Sequence, residues 1–486
     1  MIRENTPDSL QEMKKIVLVN PPYTFWSDEK SYLRPFIGNL PSLGLLTLAA
    51  VLRKQGFSVK LIESASLGLS LPQTLGLIFR ERPEYLGLSC TTASVLNAAR
   101  ISRAVKAYSP LTRVIVGGPH VTALPSETLQ RCPEFDLGVL GEGEKVLQDV
   151  LHAEAEGGDW GKAAGVVFRK GEAVHTTPRS GFVDPLDLLP LPAYDLLPNF
   201  PRSYRPPFLN YPKGPAAPVI SSRGCPQRCT FCDRAVFGNR YRHFSAEYLL
   251  DWILHLHRQY GIRHLVFVDD QFTASRGRLI EFCEKILHKG IRVSWNCDAR
   301  VDSVDRGLLS LMKRAGCWMI SYGIESGSQG ILDRIQKGIT LDQVEQAVQS
   351  TKQAGIRAKG LFMIGYLEET EKTLEETLSF LLRLPLHEAN LSFLTPYPGT
   401  ELYRRIKEVP EFRFQEDWDR MNALNPLLQP PALPPGALQK AYGRILRKFY
   451  IRPRTTFSYG NILLRSPENC ARLAAGLWSR VRQVLL

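Results

Sequence analysis

The stretch Ser221-Ser222-Arg223-Gly224-Cys225-Pro226-Gln227-Arg228-Cys229-Thr230-Phe231-Cys232 decides how this chain is read. It spaces three cysteines as C-x3-C-x2-C, with Gly-Cys-Pro at the start and an aromatic before the last cysteine. Thiolates are soft ligands suited to iron–sulfur clusters. Three of them so close together can hold three irons of a four-iron cluster and leave the fourth iron open to bind a small molecule. A structural zinc site needs four ligands, usually as paired cysteine or histidine units, and no second such pair follows here.

Downstream of this stretch the pattern repeats. Strands are expected at 218–222, 264–269, 292–297, 318–323, 359–365 and 388–395, with helices at 245–260, 276–289, 305–315, 341–354 and 370–382 between them. Ser245 and Thr340 read as N-caps, and Gly261, Gly290, Gly316 and Gly355 as the glycines that close helices. Six strand–helix units are fewer than the eight of a closed barrel, and barrel chemistry sits at the C-terminal ends of the strands. Upstream, strands at 15–20, 59–63, 85–90, 113–118 and 136–141 alternate with helices, which implies a doubly wound parallel sheet. Such sheets bind ligands beyond their strand ends. There lie Asn20, Ser89, Thr91, Thr92, Gly117, Gly118, His120, Gly141 and Glu142. No G-x-G-x-x-G follows the first strand, which counts against a dinucleotide. Residues 165–175 read as a hairpin, and the proline-rich 178–215 as an ordered linker lying across both domains. The expected organisation is therefore α/β: a Rossmann-like domain at 14–177, the linker, a partial six-unit barrel of TIM type at 216–410, and a basic, largely helical region at 411–486.

At 486 residues the chain is too long for one core. Its 44% hydrophobic and 22% charged residues are those of a globular protein. No run of apolar residues is long enough to span a membrane, and the N-terminus lacks the apolar core of a signal peptide. Nine cysteines, three of them clustered, argue for a reducing, cytoplasmic compartment. Outside the motif they read as inert core thiols; Cys297, at a strand end, is the one to watch. A net charge of +13 is compatible with nucleic acid, anionic cofactors or a membrane surface. From Gly436 onward there are ten Lys or Arg and one acid, Glu468. Residues 471–486 are amphipathic at helical period, with Arg472, Arg480 and Arg482 on one face and Leu473, Leu477, Trp478 and Leu485 on the other. Two readings stand: a helix on the inner membrane surface, or a cap on the barrel. No added RNA-binding module is visible, so nucleic acid is a weak partner.

The cysteine motif resembles that of the radical S-adenosylmethionine (SAM) enzymes. The resemblance implies that Cys225, Cys229 and Cys232 hold a [4Fe–4S] cluster. It implies too that the open iron chelates SAM, and that the reduced cluster cleaves SAM to a radical that attacks an unactivated carbon. A doubly wound domain ahead of the motif makes the chain similar to the cobalamin-binding radical SAM enzymes, over roughly residues 14–410. Asn20-Pro21-Pro22, Val116-Gly117-Gly118-Pro119-His120 and Gly141-Glu142-Gly143-Glu144 are typical strand-end phrases of that family. The resemblance assigns Phe231, Asp269, Asp270, Asn296, Asp298, Arg300 and Glu325 to the cluster and SAM. It puts Ile364 in the fifth-strand motif whose backbone meets adenine, although Leu367-Glu368 stand where the family usually has Pro-Gly. The nine strand-end residues of the first domain become cobalamin contacts. The D-x-H-x-x-G motif is absent, and His120 reads as a loop residue rather than a cobalt ligand. An electron donor such as flavodoxin or ferredoxin is also implied. Two chemistries stay open: C-methylation of a hydrophobic, lipid-like substrate, and radical cyclisation as in the anaerobic oxidative cyclase branch. A first domain that has lost cobalamin and serves as a scaffold is the rival.

If 471–486 binds membranes, the whole chain floats with anionic liposomes at low salt and a chain ending at Pro467 does not. Equal, negligible flotation of both leaves the barrel cap.

Overall fold

The computed structural model describes residues 14–24, 38–155, 157–207, 210–409, 413–414, 416–453, 455, 460 and 470. The expectations for 1–13 and 471–486 lie outside the described residues. No helix among the described residues is long and apolar enough to cross a membrane.

Strand β1 (Lys15–Asn20) carries Ile16, Val17, Leu18 and Val19, all buried. An apolar run buried on both faces is what an interior parallel strand requires. It sits between β2 (Ser58–Glu63) and β3 (Tyr85–Ser89). Beyond β3 come β4 (Arg113–Gly117), β5 (Leu137–Val139) and the antiparallel hairpin of β6 (Val166–Lys170) and β7 (Ala173–Thr176), giving the order β2-β1-β3-β4-β5-β6-β7. The order reverses at β1, so helices cover both faces and a crevice opens beyond the strand ends.

The second sheet starts with β8 (Ala216–Val219). Next, β9 (Ser222–Arg223) and β10 (Arg242–His243) pair as a short antiparallel ribbon that brackets the cysteine loop. β11 (His264–Phe267), β12 (Ser294–Ala299), β13 (Cys317–Glu325), β14 (Arg357–Ile364) and β15 (Glu388–Phe393) follow, all parallel and in sequence order. Right-handed crossovers that never reverse put every helix on one side, so this sheet winds as an open six-stranded barrel rather than as a second doubly wound layer.

The expected strand limits shift by about two residues. The third barrel strand runs on to Ala299, which puts Asp298 inside it, and the fourth runs on to Glu325. The phrase Gly118-Pro119-His120, expected as a loop, opens a short helix, Pro119–Ala123, with proline at its first position and Gly118 at φ +98. A Cβ on Gly118 would lie 2.8 Å from the Cys90 carbonyl oxygen, so only glycine fits this turn. Ser245 accepts from the Tyr248 N–H at 3.1 Å, and Thr340 forms a capping box with Gln343. Cys297 is a buried core thiol in β12.

One hydrophobic core runs from one face of the first sheet, through linker residues Leu186, Leu189 and Tyr194, into the barrel. The Tyr194 hydroxyl donates to the Pro218 carbonyl at 2.7 Å and the Tyr248 hydroxyl to that of Leu189 at 2.9 Å, stitching the linker to the barrel. A second core fills the other face of the first sheet and includes Trp418, Met421 and Leu427 from the C-terminal region. The chain from Glu416 to Leu427 is thus a strap running back onto the first domain. Helix Ala437–Tyr450 returns to the barrel, where Tyr442 stacks on Phe393 with ring centres 4.7 Å apart.

Four buried charges join the first domain to the ribbon that brackets the cysteine loop. Glu142, just beyond β5, takes a two-pronged pair from Arg242 at 2.6 and 3.1 Å and lies 3.3 Å from Arg223; Arg223 also reaches Glu144 at 2.6 Å. The Val183 N–H donates to Glu142 at 2.7 Å. All four side chains are buried. Burial by itself would lower the pKa of Arg223, but Glu144 and Glu142 outweigh it and hold the guanidinium above its ordinary value. Removing one partner strands a buried charge. Glu142→Gln is therefore expected to cost about 3 kcal/mol, read as a lower urea midpoint of tryptophan fluorescence. An unaltered midpoint would show that the network carries no net stability.

Candidate active site

The cysteine loop is built on constraints. Gly224 sits at φ +83, and a Cβ there would lie 2.4 Å from the Arg240 carbonyl oxygen. A left-handed residue pressed against backbone must be glycine. The Cys232 N–H donates to Cys229 O at 3.2 Å, the Thr230 N–H to Ile335 O at 3.1 Å, and the Leu402 N–H to Thr230 O at 2.9 Å. Arg234 closes the loop onto the Gln227 carbonyl. Phe231 packs against the core and lies under the Lys337 ammonium, 5.9 Å from its ring centre.

The three thiols are free. Burial first, then Cys229 and Asp270 beside it, push Cys232 up to about 12; burial likewise raises Cys225. Thiolates therefore form here with a cation to take them. Among the described residues no trio of His, Cys, Asp or Glu side chains converges on one metal ion. In a four-iron cluster each thiolate takes its own iron, so no such convergence is needed, and a short loop with three free thiols, graded from buried Cys229 to exposed Cys232, fits one.

Adjacent acids at the end of β11 take different parts. Asp269 is buried and accepts from the Ser221 N–H at 3.0 Å, the Ser221 hydroxyl at 2.7 Å and the Ser222 hydroxyl. These bonds tie the cysteine loop to β11. Asp270 stays open beside the thiols, with its pKa raised by burial and by Asp269. Asp298 is ringed by protein, yet its carboxylate is exposed, because it faces the interior of the barrel. Burial raises it to about 6, against the pull of Ser321 and Lys359. Asn296 is buried in β12. It reaches back to donate to the linker carbonyl of Asn210 at 2.9 Å, so it holds the linker rather than the strand-end mouth. Arg300 forks onto Asp302 at 2.7 and 3.0 Å and donates to the carbonyls of Lys337 and Gly338. Glu325, at φ +69, pairs with Lys337 at 2.7 Å. These two brace the mouth by ion pairs. The Ile364 side chain is buried and its carbonyl accepts from the Leu394 N–H at 2.9 Å.

The first domain's strand ends divide between two cavities. The first, of about 350 Å³, lies between the sheet and the cysteine loop. Ser89, Gly117, Gly118, Gly141 and Glu142 line it from one side; Arg223, Val236, Phe237 and Asp270 line it from the other. It runs inward as a slot past Leu18, Gly87 and Ile115 on the sheet and Gly44 and Leu48 on helix Leu43–Lys54. A Cβ on Gly44 meets nothing within 4 Å, so any side chain there would stand in the slot. Mostly apolar walls suit a large flat ring with a long tail. Glu142 is held by the two arginines, so it braces the cavity's wall and has little left for a ligand.

Thr91, Thr92 and His120 line a second cavity, of about 550 Å³, with Asn390, Ser392, Tyr397 and Asn422. His120 is buried: its Nδ1 lies 3.1 Å from the Thr92 hydroxyl and its ring stands edge-on to Trp418 at 4.4 Å. Burial, then Arg131, lower its pKa to about 4, so it is a neutral packing residue. Asn20 faces neither cavity's wall and donates to Glu63 on β2 at 2.9 Å.

Sequence reasoning passed over Lys359, Asn390, Ser392 and Asn422. The period-two alternation of β14 and β15 was their signal: Lys359, Leu361 and Met363 alternate with outward core residues, as do Glu388, Asn390 and Ser392. Lys359 pairs with Glu388 across the two strands at 2.7 Å. Asn422 had no local signal, because the strap places it.

With this geometry in view, comparison with known proteins supplies the class. The B12 binding domain family matches residues 30–151, and the radical SAM superfamily matches residues 219–381. An uncharacterized methyltransferase of Pyrococcus horikoshii is 31% identical over 445 residues, 91% of this chain and 94% of the relative. An anaerobic magnesium-protoporphyrin IX monomethyl ester cyclase of Rubrivivax gelatinosus is 28% identical over 421 residues, 85% of this chain and 74% of that one. The solved radical SAM methyltransferase TsrM of Kitasatospora setae, with cobalamin and a [4Fe-4S] cluster bound, superposes with a TM-score of 0.70 at 18% identity, over 91% of this chain and 89% of that one. This chain belongs to the cobalamin-binding radical SAM enzymes, and its cofactors are a [4Fe–4S] cluster, SAM and cobalamin.

If Cys225, Cys229 and Cys232 are the cluster ligands, the triple alanine variant, reconstituted anaerobically, loses its iron, its sulfide and its brown colour. Four irons and four sulfides retained in that variant would refute the assignment.

Proposed function

We propose that this enzyme methylates an unactivated carbon of a small, largely hydrophobic molecule. The observation that carries the reading is contiguity: Arg223 and Asp270, which flank the cysteine loop, are also walls of the first domain's cavity. When bound, the cluster with SAM supplies radical chemistry at carbon, and cobalamin supplies the methyl group.

The chain's own residues then have separable tasks. Cys225, Cys229 and Cys232 ligate the cluster, and Phe231 covers one side of the loop. Asp270 accepts from the SAM ammonium, and Asp298 accepts from hydroxyl groups inside the barrel. Ser89, Gly117, Gly118 and Gly141 would let the cobalamin ring approach the backbone, and the slot beside Gly44 would have room for its tail. Arg300 and Glu325 are braces that keep the mouth's shape. The reductant is proposed to be a flavodoxin or ferredoxin. The setting is the reducing cytoplasm, with 471–486 as the contact to a membrane surface.

The Pyrococcus relative, named a methyltransferase, supports methyl transfer. The Rubrivivax relative supports a second reading, cyclisation without methyl transfer. Turnover with methyl-labelled SAM separates them. Label in the product is expected; a product that is cyclised or rearranged and carries no label overturns methylation in favour of the second reading.

A further inference from the structure

We propose that the second cavity holds the methyl acceptor, and that the part it encloses is uncharged, largely apolar, and carries an oxygen that accepts a hydrogen bond. The proposal rests on the methyl-transfer reading above and narrows its substrate class.

Position comes first. Pro119 and Asp233 belong to the walls of both cavities, so the second cavity adjoins the cofactor cavity at the exit of the cysteine loop. It draws walls from the ends of β1, β3 and β4, from Asp233 beside the cysteine loop, from β15 and the turn after it, and from the strap. A molecule there touches both sheets at once, as an acceptor standing between methyl donor and radical source must.

Charge comes next. None of the described walls is Lys or Arg, and Asp233 is the lone charged one. Asp233 accepts from the Ala235 N–H at 2.8 Å. His120 is neutral, for the reasons given above. A carboxylate or phosphate placed here would be desolvated with no cation to pair with.

The hydrogen-bonding demand is specific. The Asn422 side chain is buried, and its Oδ1 accepts from the Leu424 N–H at 3.0 Å. That contact fixes which end of the amide is which. It leaves Nδ2, on a residue of the cavity wall, as a buried donor without a protein partner. A buried unmet donor costs free energy until an acceptor arrives, and a carbonyl, ether or hydroxyl oxygen on the substrate supplies one. Leu391, Leu424, Pro119 and Pro398 are apolar walls set among the polar side chains of Thr91, Thr92, Asn390, Ser392 and Tyr397.

The test uses the cluster- and cobalamin-loaded enzyme with SAM, and three probes of one shape measured by equilibrium dialysis. These are 2-acetylnaphthalene (neutral, with an acceptor), 2-ethylnaphthalene (no acceptor) and 2-naphthoate (anionic). The ketone is expected to bind about tenfold more tightly than either of the others. Asn422→Leu should erase the ketone's advantage over the hydrocarbon. Asn390→Lys, which adds a cation at an exposed wall position, should raise naphthoate binding to at least that of the ketone. Naphthoate binding as tightly as ketone to the parent enzyme, or a ketone preference that survives Asn422→Leu, overturns the inference. Iron content, cobalamin absorbance and SAM cleavage are read on the same samples. If these are intact and the ketone preference is missing, the inference alone fails. If cobalamin is not retained, the methyl-transfer reading fails and takes the inference with it.

Discussion

The buried quartet of Arg223, Arg242, Glu142 and Glu144 is the constraint on which the rest of this structure depends. An apolar contact between two sheets tolerates sliding, because dispersion has little direction. A two-pronged arginine–carboxylate pair does not, because its donors sit in a fixed fork. Arg223 stands two residues before Cys225, and Glu142 directly follows the exit glycine of β5. The network therefore sets the distance and tilt between the cysteine loop and the strand ends of the first domain. Two positive and two negative groups balance, so the charges offset each other's desolvation.

The mouth of the barrel shows the same economy of polar groups. Acidic residues that look alike in sequence split into those tied within the protein and those left open. Asp269 is tied by Ser221 and Ser222; Glu325 is tied by Lys337; Glu142 by the two arginines. Asp270 and Asp298 stay exposed, although Gly224 and Ser321 each lend one of them a hydrogen bond. Burial raises the pKa of both, which makes a positively charged or hydroxyl-bearing ligand the favourable partner for their ionised forms.

The strap gives the C-terminal region a part in the site. Trp418 is buried in the first domain's outer core, where burying a large aromatic is worth roughly 2–3 kcal/mol. Its ring meets His120 on one side, and the Arg131 guanidinium lies 4.4 Å from its ring centre. By holding this segment on the first domain, the indole also delivers Asn422 to the second cavity. A histidine that sat at a strand end in the sequence, where a ligand was conceivable, becomes the neutral anchor point of that strap.

The resemblance to a known family implied SAM and cobalamin; the sequence by itself determined the class of fold and the loop that carries the chemistry. Those rest on local spacing and on periodicity: C-x3-C-x2-C is complete within one loop, and strand and helix periods are read a few residues at a time. It also marked the strand ends of the first domain as a ligand edge. What it could not separate was which polar residue faces which partner. Asn296 and Asp298 are two residues apart on one strand, yet the first bonds the linker and the second opens into the barrel. The division of Ser89 and Gly117 from Thr92 and His120 into two cavities, and the arrival of Asn422 beside the latter, depend on contacts hundreds of residues apart in the chain. Only the tertiary structure decided these, because a side chain's partner is set by the packing of distant elements and leaves no period or spacing in the sequence around it.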